Sequence, residues 1–424
     1  MAVSTPPRTA IRRLATGRAI SFTGSEATWI ALMVAIYAST HSTVWMSATL
    51  FLTIGASGVF TPLAGALGDR YDRRAVMVLS DLAAAAVAAA MALAHAPALL
   101  VALAFTGAVA QSPFFSASTA AIPNLVEPRD VAWANSTITL GRSTGSLVGP
   151  VLGGVLAGLI SPSAVFVLNS VCFAGSAALA WSVHGRFADP QREDAAEHRG
   201  LRAGVNFIMG EPVLRLMLTA WVVLLLLLGP VLVAELPLAH SFGVGSAGYG
   251  LLVACWGAGG IAGAVLARRL VRRHERRMMI GGTVVIGAGF GLVAITPFFA
   301  LALVGMLAAG CAEGAVSVAE QGILQRRTPD AVRSRATAVT EAAMLAAFAL
   351  SFPPAGFLIQ LIGVRGVYAM AAVGGLLAGA VLVPAMRRLS EPAELLAVSG
   401  TAGAVPDTTG HTGVRHRHAE RDGA

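Results

Sequence analysis

Twelve apolar segments of membrane-spanning length constrain this chain more than any other feature. They lie at about 15–39, 46–68, 75–95, 97–120, 134–160, 163–183, 213–236, 245–267, 278–297, 299–322, 336–360 and 364–386. A helix of roughly 20 apolar residues crosses the hydrocarbon core of a bilayer, and only a helix or a closed barrel satisfies its backbone hydrogen bonds there. Composition agrees. Of 424 residues, 56% are apolar and 12% charged, whereas a soluble domain carries about a quarter charged residues. The expectation is an all-α protein embedded in the lipid bilayer. The first apolar run follows Arg8, Arg12 and Arg13 as a signal peptide would, but it is too long for one, contains Glu26 and precedes eleven more, so it reads as an uncleaved helix.

All 30 basic residues are Arg, with no Lys. That removes the lysine of phosphate-binding loops, Schiff-base lysines and lysine general bases. The net charge of +8 sits between apolar runs rather than on a polar, aromatic-studded surface, which argues against nucleic acid as a partner. Cys172, Cys255 and Cys311 are scattered through apolar runs as small hydrophobes, with neither disulfide nor metal spacing. Placing the N-terminus in the cytoplasm leaves every Arg in cytoplasmic segments except Arg18 and Arg142, inside helices, and Arg365, outside. By the positive-inside rule both termini are expected in the cytoplasm, with the chain in the inner (plasma) membrane.

The loop 184–212 is the longest polar connection and divides the chain into a cytoplasmic N-terminus (1–14), a first six-helix bundle (15–183), a linker (184–212), a second bundle (213–386) and a disordered cytoplasmic tail (387–424). Signals recur between the halves. Gly65 before Arg70, Arg73 and Arg74 matches Gly263 before Arg268, Arg272 and Arg273 at an offset of 198, and Pro128 with Val131 matches Pro329 with Val332 at 201. Two parallel repeats related by an axis along the membrane normal are a transporter architecture. Apolar spacing over 201–209 predicts an amphipathic helix on the inner leaflet. His411, His416 and His418 read as solvated tail, not a metal site.

The segment between spans 2 and 3 reads Gly65-Ala-Leu-Gly68-Asp69-Arg70-Tyr-Asp72-Arg73-Arg74. Its glycines permit close helix approach, Asp69 suits a helix start or an Arg partner, and the Arg cluster suits an anionic leaflet. Topogenic charge alone is the simpler reading. Span 5 reads Gly141-Arg142-Ser-Thr-Gly145-Ser-Leu-Val-Gly149-Pro150-Val-Leu-Gly153-Gly154. Pro150 bends it, and glycine at every fourth position makes a groove for a neighbour. These strings resemble the loop motif and the antiporter motif of the major facilitator superfamily, with Asp72 where a glycine is usual. Residues 120–135, Phe166 with Asn169, and 200–214 are similar to the branch that contains enterobactin and macrolide exporters.

The resemblance covers roughly 10–388 and implies twelve helices in two pseudo-symmetric six-helix bundles. It implies a loop that latches the halves in the outward-facing state, degenerate in the second copy, which has Ala267 in place of Asp69, and a span 5 typical of proton-driven exporters. Pro353, Pro354 and Gly356 echo that string in span 11. It also implies that spans 1, 4, 7 and 10, with 2, 5, 8 and 11, surround the central cavity.

Ionisable groups at bilayer depth usually mark pathways. Glu26 in span 1, Arg142 in span 5, Glu313 and Glu320 in span 10 and Glu341 in span 11 all fall on those cavity helices. Glu26 lies roughly 15 Å and Arg142 roughly 12 Å above the cytoplasmic helix ends, close enough in depth to pair. Glu313 sits roughly 19 Å above Arg326, while Glu320 and Glu341 are roughly 9 Å from the inner surface. Glu26 and Glu313 lead as protonation sites, with Arg142 holding a partner carboxylate ionised in one conformation and releasing it in the other. Static ion pairs are the competing reading, and for Glu320 and Glu341 pairing with Arg333 or Arg335 is the simpler one. Asp81 is expected beside the Arg cluster, and Glu235 at the outer surface. Candidate substrate contacts are Trp29, Gln111, Phe114, Phe115, Trp221, Trp256, Met344 and Phe348, since aromatic and Met linings suit bulky amphipathic ligands.

The expected activity is proton-coupled efflux of a bulky, partly hydrophobic small molecule such as a drug, antibiotic or siderophore, by a functional monomer whose only auxiliary is the proton gradient. The alternatives are an importer or lysophospholipid transporter of the same branch, and a membrane sensor that keeps the fold without transporting. No metal cluster, nucleophile triad or lysine site suggests an enzyme.

Overall fold

Proline at the first helical turn, where its missing N–H is no loss, starts four of the helices. The computed structural model describes residues 6–184, 187 and 201–388, and all regular structure among them is helical. The helices are α1 (Pro7–Thr40), α2 (Thr43–Arg70), α3 (Arg73–Leu93), α4 (Pro97–Leu125), α5 (Val131–Leu159), α6 (Pro162–Trp181), α7 (Leu201–Gly210), α8 (Pro212–Leu228), α9 (Val231–Ser241), α10 (Gly245–Ile295), α11 (Phe299–Arg327), α12 (Asp330–Leu350) and α13 (Ala355–Arg388). Among the described residues, nine helical stretches are long and apolar enough to cross a membrane. The other three expected segments also form helices: α2, α5, and α12 together with the first residues of α13.

Several boundaries differ from the sequence expectation for local reasons. α1 begins at Pro7 rather than near 15 because Ala10, Ile11 and Leu14 are buried in a core that includes Ala177 and Val183, and Arg13 Nη1 donates to the Ser182 carbonyl at 2.9 Å. Span 7 is broken at Gly229-Pro230 into α8 and α9. Spans 8 and 9 are two helices within α10, Gly245–Arg268 and His274–Ile295, meeting at a sharp kink where His274 leaves helical geometry (φ −134°, ψ 16°). Span 11 breaks at Ser351–Pro354, and Gly363, at φ 76°, turns the chain into span 12. A side chain there would be strained. The expected amphipathic helix is α7: one face packs on protein, with Gly204 on the Arg335 backbone of α12 and Ile208 buried, while Val205 and Met209 on it are exposed.

α1–α6 form one half and α8–α13 the other. Between described residues, the hydrogen bonds, ring contacts and close glycine approaches that join the halves all lie toward the face opposite the chain ends, the distal face. Thr43 Oγ1 donates to the Gly356 carbonyl at 2.9 Å, Ser246 Oγ donates to the Gly154 carbonyl at 3.0 Å, and Tyr37 meets His240 with ring centroids 5.6 Å apart. The deepest of these contacts, Gly58 on Leu345 and Gly257 on Ser146, lie roughly 20 Å in from the distal helix ends. The distal ends of the halves are sealed together.

Candidate functional site

Each half encloses a cavity. The N-terminal one, about 260 Å³, lies among α1, α2, α3, α4 and α6, with Arg18, Ser25, Trp29, Gln111 and Asn169 on its wall. The C-terminal one, about 380 Å³, is lined by Trp221, Trp256, Glu313, Glu341, Met344 and Phe348 among others. A third space of about 540 Å³ follows the seam between α2 and α12 and shares Ile54 with the first cavity and Leu345 with the second. Six of the residues singled out in the sequence therefore face one cavity, and two more, Trp29 and Gln111, face the other. Phe114 does not line either: it is buried beneath Arg18, whose guanidinium stands 4.8 Å from the ring centroid. Phe115 lies outside the described side chains.

Charge in the N-terminal half is arranged differently from the expected Glu26–Arg142 pair. Arg142 is exposed on α5 and stands over the Phe22 ring at 5.2 Å, a cation–π contact. Glu26 is within its electrostatic reach, yet no ion pair within 4 Å joins them among the described residues. Arg18 is 8% exposed and approaches the same Phe22 ring at 5.9 Å. Asp81 is not beside the Arg cluster. It is fully buried, accepts from Gln111 Nε2 at 3.2 Å and lies within electrostatic reach of Arg18. Asn169 Oδ1 and Asp81 Oδ2 are buried without a hydrogen-bond partner. Arg18 and Asp81 are the residues that sequence reasoning underrated, and the signal was present: each is an ionisable group inside an apolar run.

The span 5 string has two working faces. Gly141, Gly145, Gly149 and Gly153 lie against α1, where an added Cβ would meet Ala15 O, Thr23 N, the Glu26 side chain and the Ala27 backbone respectively. Gly154, on the other face, meets Ser246 and Gly250 of α10, and Gly250 in turn meets the Pro150 carbonyl. One row of small residues thus closes the N-terminal half on itself, and its neighbour closes that half on the other.

In the loop motif, the side chains of Gly65, Gly68, Asp69 and Arg70 lie outside the described residues. Arg73 is buried and donates to the Phe187 carbonyl at 3.2 Å, while Arg74 donates to the Trp181 carbonyl and stacks on its ring. These bonds tie the loop to the end of α6, within one half. Asp72, the departure from the usual glycine, caps α3 by accepting from Ala75 N at 2.8 Å.

Glu320 is buried and turned toward the Trp221 indole, within hydrogen-bonding reach, rather than out to the interface arginines. Glu235, expected at the surface, is 3% exposed. At the terminal face, Glu211 caps α8 through Val213 N at 2.7 Å and pairs with Arg327 at 2.9 Å, and Arg326 pairs with Glu275 at 2.5 Å. The three cysteines are free, and no cluster of metal-ligating side chains occurs among the described residues.

An arrangement of two helical halves with adjoining cavities, whose apolar walls carry the ionisable side chains Arg18, Glu313 and Glu341, suits passage of a solute rather than covalent chemistry. The comparisons agree. A model of the Major Facilitator Superfamily matches residues 14–234 and 228–416. The chain is 28% identical over 329 residues to the uncharacterized MFS-type transporter y4rN of Sinorhizobium fredii, covering 73% of this chain and 78% of that protein. It is 26% identical over 336 residues to the enterobactin exporter EntS of Shigella flexneri, covering 77% and 79%. Among solved structures, an inward-facing bacterial homologue of the lysosomal transporter Spinster superposes with a TM-score of 0.69 at 16% identity, over 91% of this chain and 96% of that one. A variant of the nucleoside transporter NupG gives 0.75 at 13% identity, over 89% and 99%. The chain is a multi-pass membrane transporter, not an enzyme, and belongs to the major facilitator superfamily.

Proposed function

We propose that this transporter is a proton-driven exporter of a bulky, amphipathic small molecule, set in the inner (plasma) membrane with both termini in the cytoplasm and working by rocking its halves about the joined cavities. The observation that carries the reading is the C-terminal cavity, where Glu313 and Glu341 share one space with Trp221, Trp256, Met344 and Phe348. Aromatic and Met side chains suit an apolar cargo. A proton on a carboxylate in the same space alters how well that cargo binds, so the two are thermodynamically linked. Glu26, packed where α5 crosses α1, is the matching carboxylate of the other half, and Glu320 stands one layer behind the cavity through Trp221.

Orientation rests on the arginines crowded at the terminal face, which makes the sealed distal face external. Export rests on the span 5 string and on the enterobactin exporters among the relatives. The test is accumulation of the amphipathic dyes Hoechst 33342 and ethidium in everted vesicles energised by a proton gradient. Glu313→Gln and Glu26→Gln are each expected to lower gradient-driven accumulation by about tenfold or more, within the usual range of coupling energies, while dye binding persists. Unchanged accumulation in both variants would sink the reading.

A further inference from the structure

The distal part of the C-terminal half holds a polar cluster that neither cavity accounts for. Glu235 on α9 is 3% exposed, and Tyr249 on α10 and Tyr368 on α13 are 0% exposed. Both tyrosine hydroxyls are buried without a hydrogen-bond partner. Each lies within electrostatic reach of Glu235, and Tyr249 is at the same time within reach of Glu26 on α1. The cluster therefore spans three helices of one half and looks across the seam to a carboxylate of the other. Glu235 stands roughly 9 Å in from the distal end of α9, at the level where the halves are sealed.

Among the described residues no cation pairs with it. Among the described residues on elements packed against α9, the other titratable groups at this level are turned elsewhere. His240, on α9 itself, rests on Tyr37 of α1, and Arg365 of α13 stands over Phe242 and donates to the Ala294 carbonyl at 3.4 Å. The described part of α2 carries no ionisable side chain. An uncompensated charge on a carboxylate sealed among apolar groups is costly, and a neutral acid avoids that cost.

We infer that Glu235 is a proton-binding site of the distal gate, protonated when the seam is shut and ionised when α9 opens to water. In the shut state the neutral acid sits among apolar groups, with the Tyr249 and Tyr368 hydroxyls within electrostatic reach. On opening, the proton passes to external water, and on closing it is taken back. This rests on the proton-driven reading above and adds an external port to it, with Tyr249 standing between that port and Glu26.

The test places spin labels at two exposed distal positions, Ala96→Cys in one half and Ala300→Cys in the other, with Cys172, Cys255 and Cys311 replaced, and follows the inter-label distance in nanodiscs from pH 5.5 to 8.5. The distance in the otherwise wild-type protein is expected to lengthen as pH rises, and Glu235→Gln to stay short throughout. The double variant Tyr249→Phe with Tyr368→Phe, which removes the two buried hydroxyls within electrostatic reach of Glu235, is expected to keep the transition but shift its midpoint by about one pH unit, a tenfold change in proton affinity. A Glu235→Gln protein that tracks pH like the parent, or a double variant with an unmoved midpoint, overturns the inference alone. A parent protein whose distal distance ignores pH overturns the proton-driven reading as well.

Discussion

Asp72 replaces a conformationally free glycine with a side chain that accepts from Ala75 N, so the departure from the family pattern is a helix cap. Asp72→Ala is expected to destabilise the protein by about 1 kcal/mol and Asp72→Gly by only a few tenths, read as the shift in thermal unfolding in detergent. Glu211→Ala, which removes both a cap and the partner of Arg327, is expected to exceed either, at about 1–2 kcal/mol. Side chains such as Glu313 and Trp256 were legible in the sequence because an unusual residue inside an apolar run on a cavity helix has few places to go. Glu235 and the geometry of Arg142 were not, because the rise per residue fixes depth while the direction a side chain faces depends on how neighbouring helices rotate against it. Depth alone put Glu26 and Arg142 together, yet an aromatic ring, Phe22, takes the guanidinium.

At the scale of elements, α5 links the packing of one half to the closure of both. Gly153 faces the Ala27 backbone of α1, and Gly154, the next residue, faces Ser246 and Gly250 across the seam. Their substitutions should therefore fail differently. Gly153→Leu has no room without moving α1 from α5, and is expected to abolish the monodisperse folded peak in size-exclusion chromatography. Gly154→Leu should fold but hold the distal seam open, raising the reaction of an impermeant maleimide with Thr43→Cys severalfold over the same reporter in the parent. Equal behaviour of the two variants would refute the division of faces. The glycine row itself was plain in the sequence. Which face met which helix was not, since a four-residue repeat specifies a groove and leaves its occupant open. The Gly229-Pro230 break and the Gly363 turn were likewise visible as residue types, and the kink at His274 falls within the arginine cluster where a connection was expected.

The whole molecule couples a sealed distal face to cavities that adjoin along the α2–α12 seam. Its two-fold repeat, twelve spans and family were legible because lipid permits so few backbone solutions that hydropathy and charge bias nearly determine the topology. The cargo is not legible, since Trp, Met and Phe walls accept many amphipathic shapes. The central claim is that export is driven by protons, and the most direct measurement is Hoechst 33342 accumulation in proteoliposomes holding the purified transporter, with a pH gradient of one unit imposed in either direction and lumenal pH followed by a trapped dye. Accumulation only when the lumen is acid, accompanied by loss of lumenal protons, is the predicted result. Accumulation that ignores the gradient, or that runs when the lumen is alkaline, contradicts it.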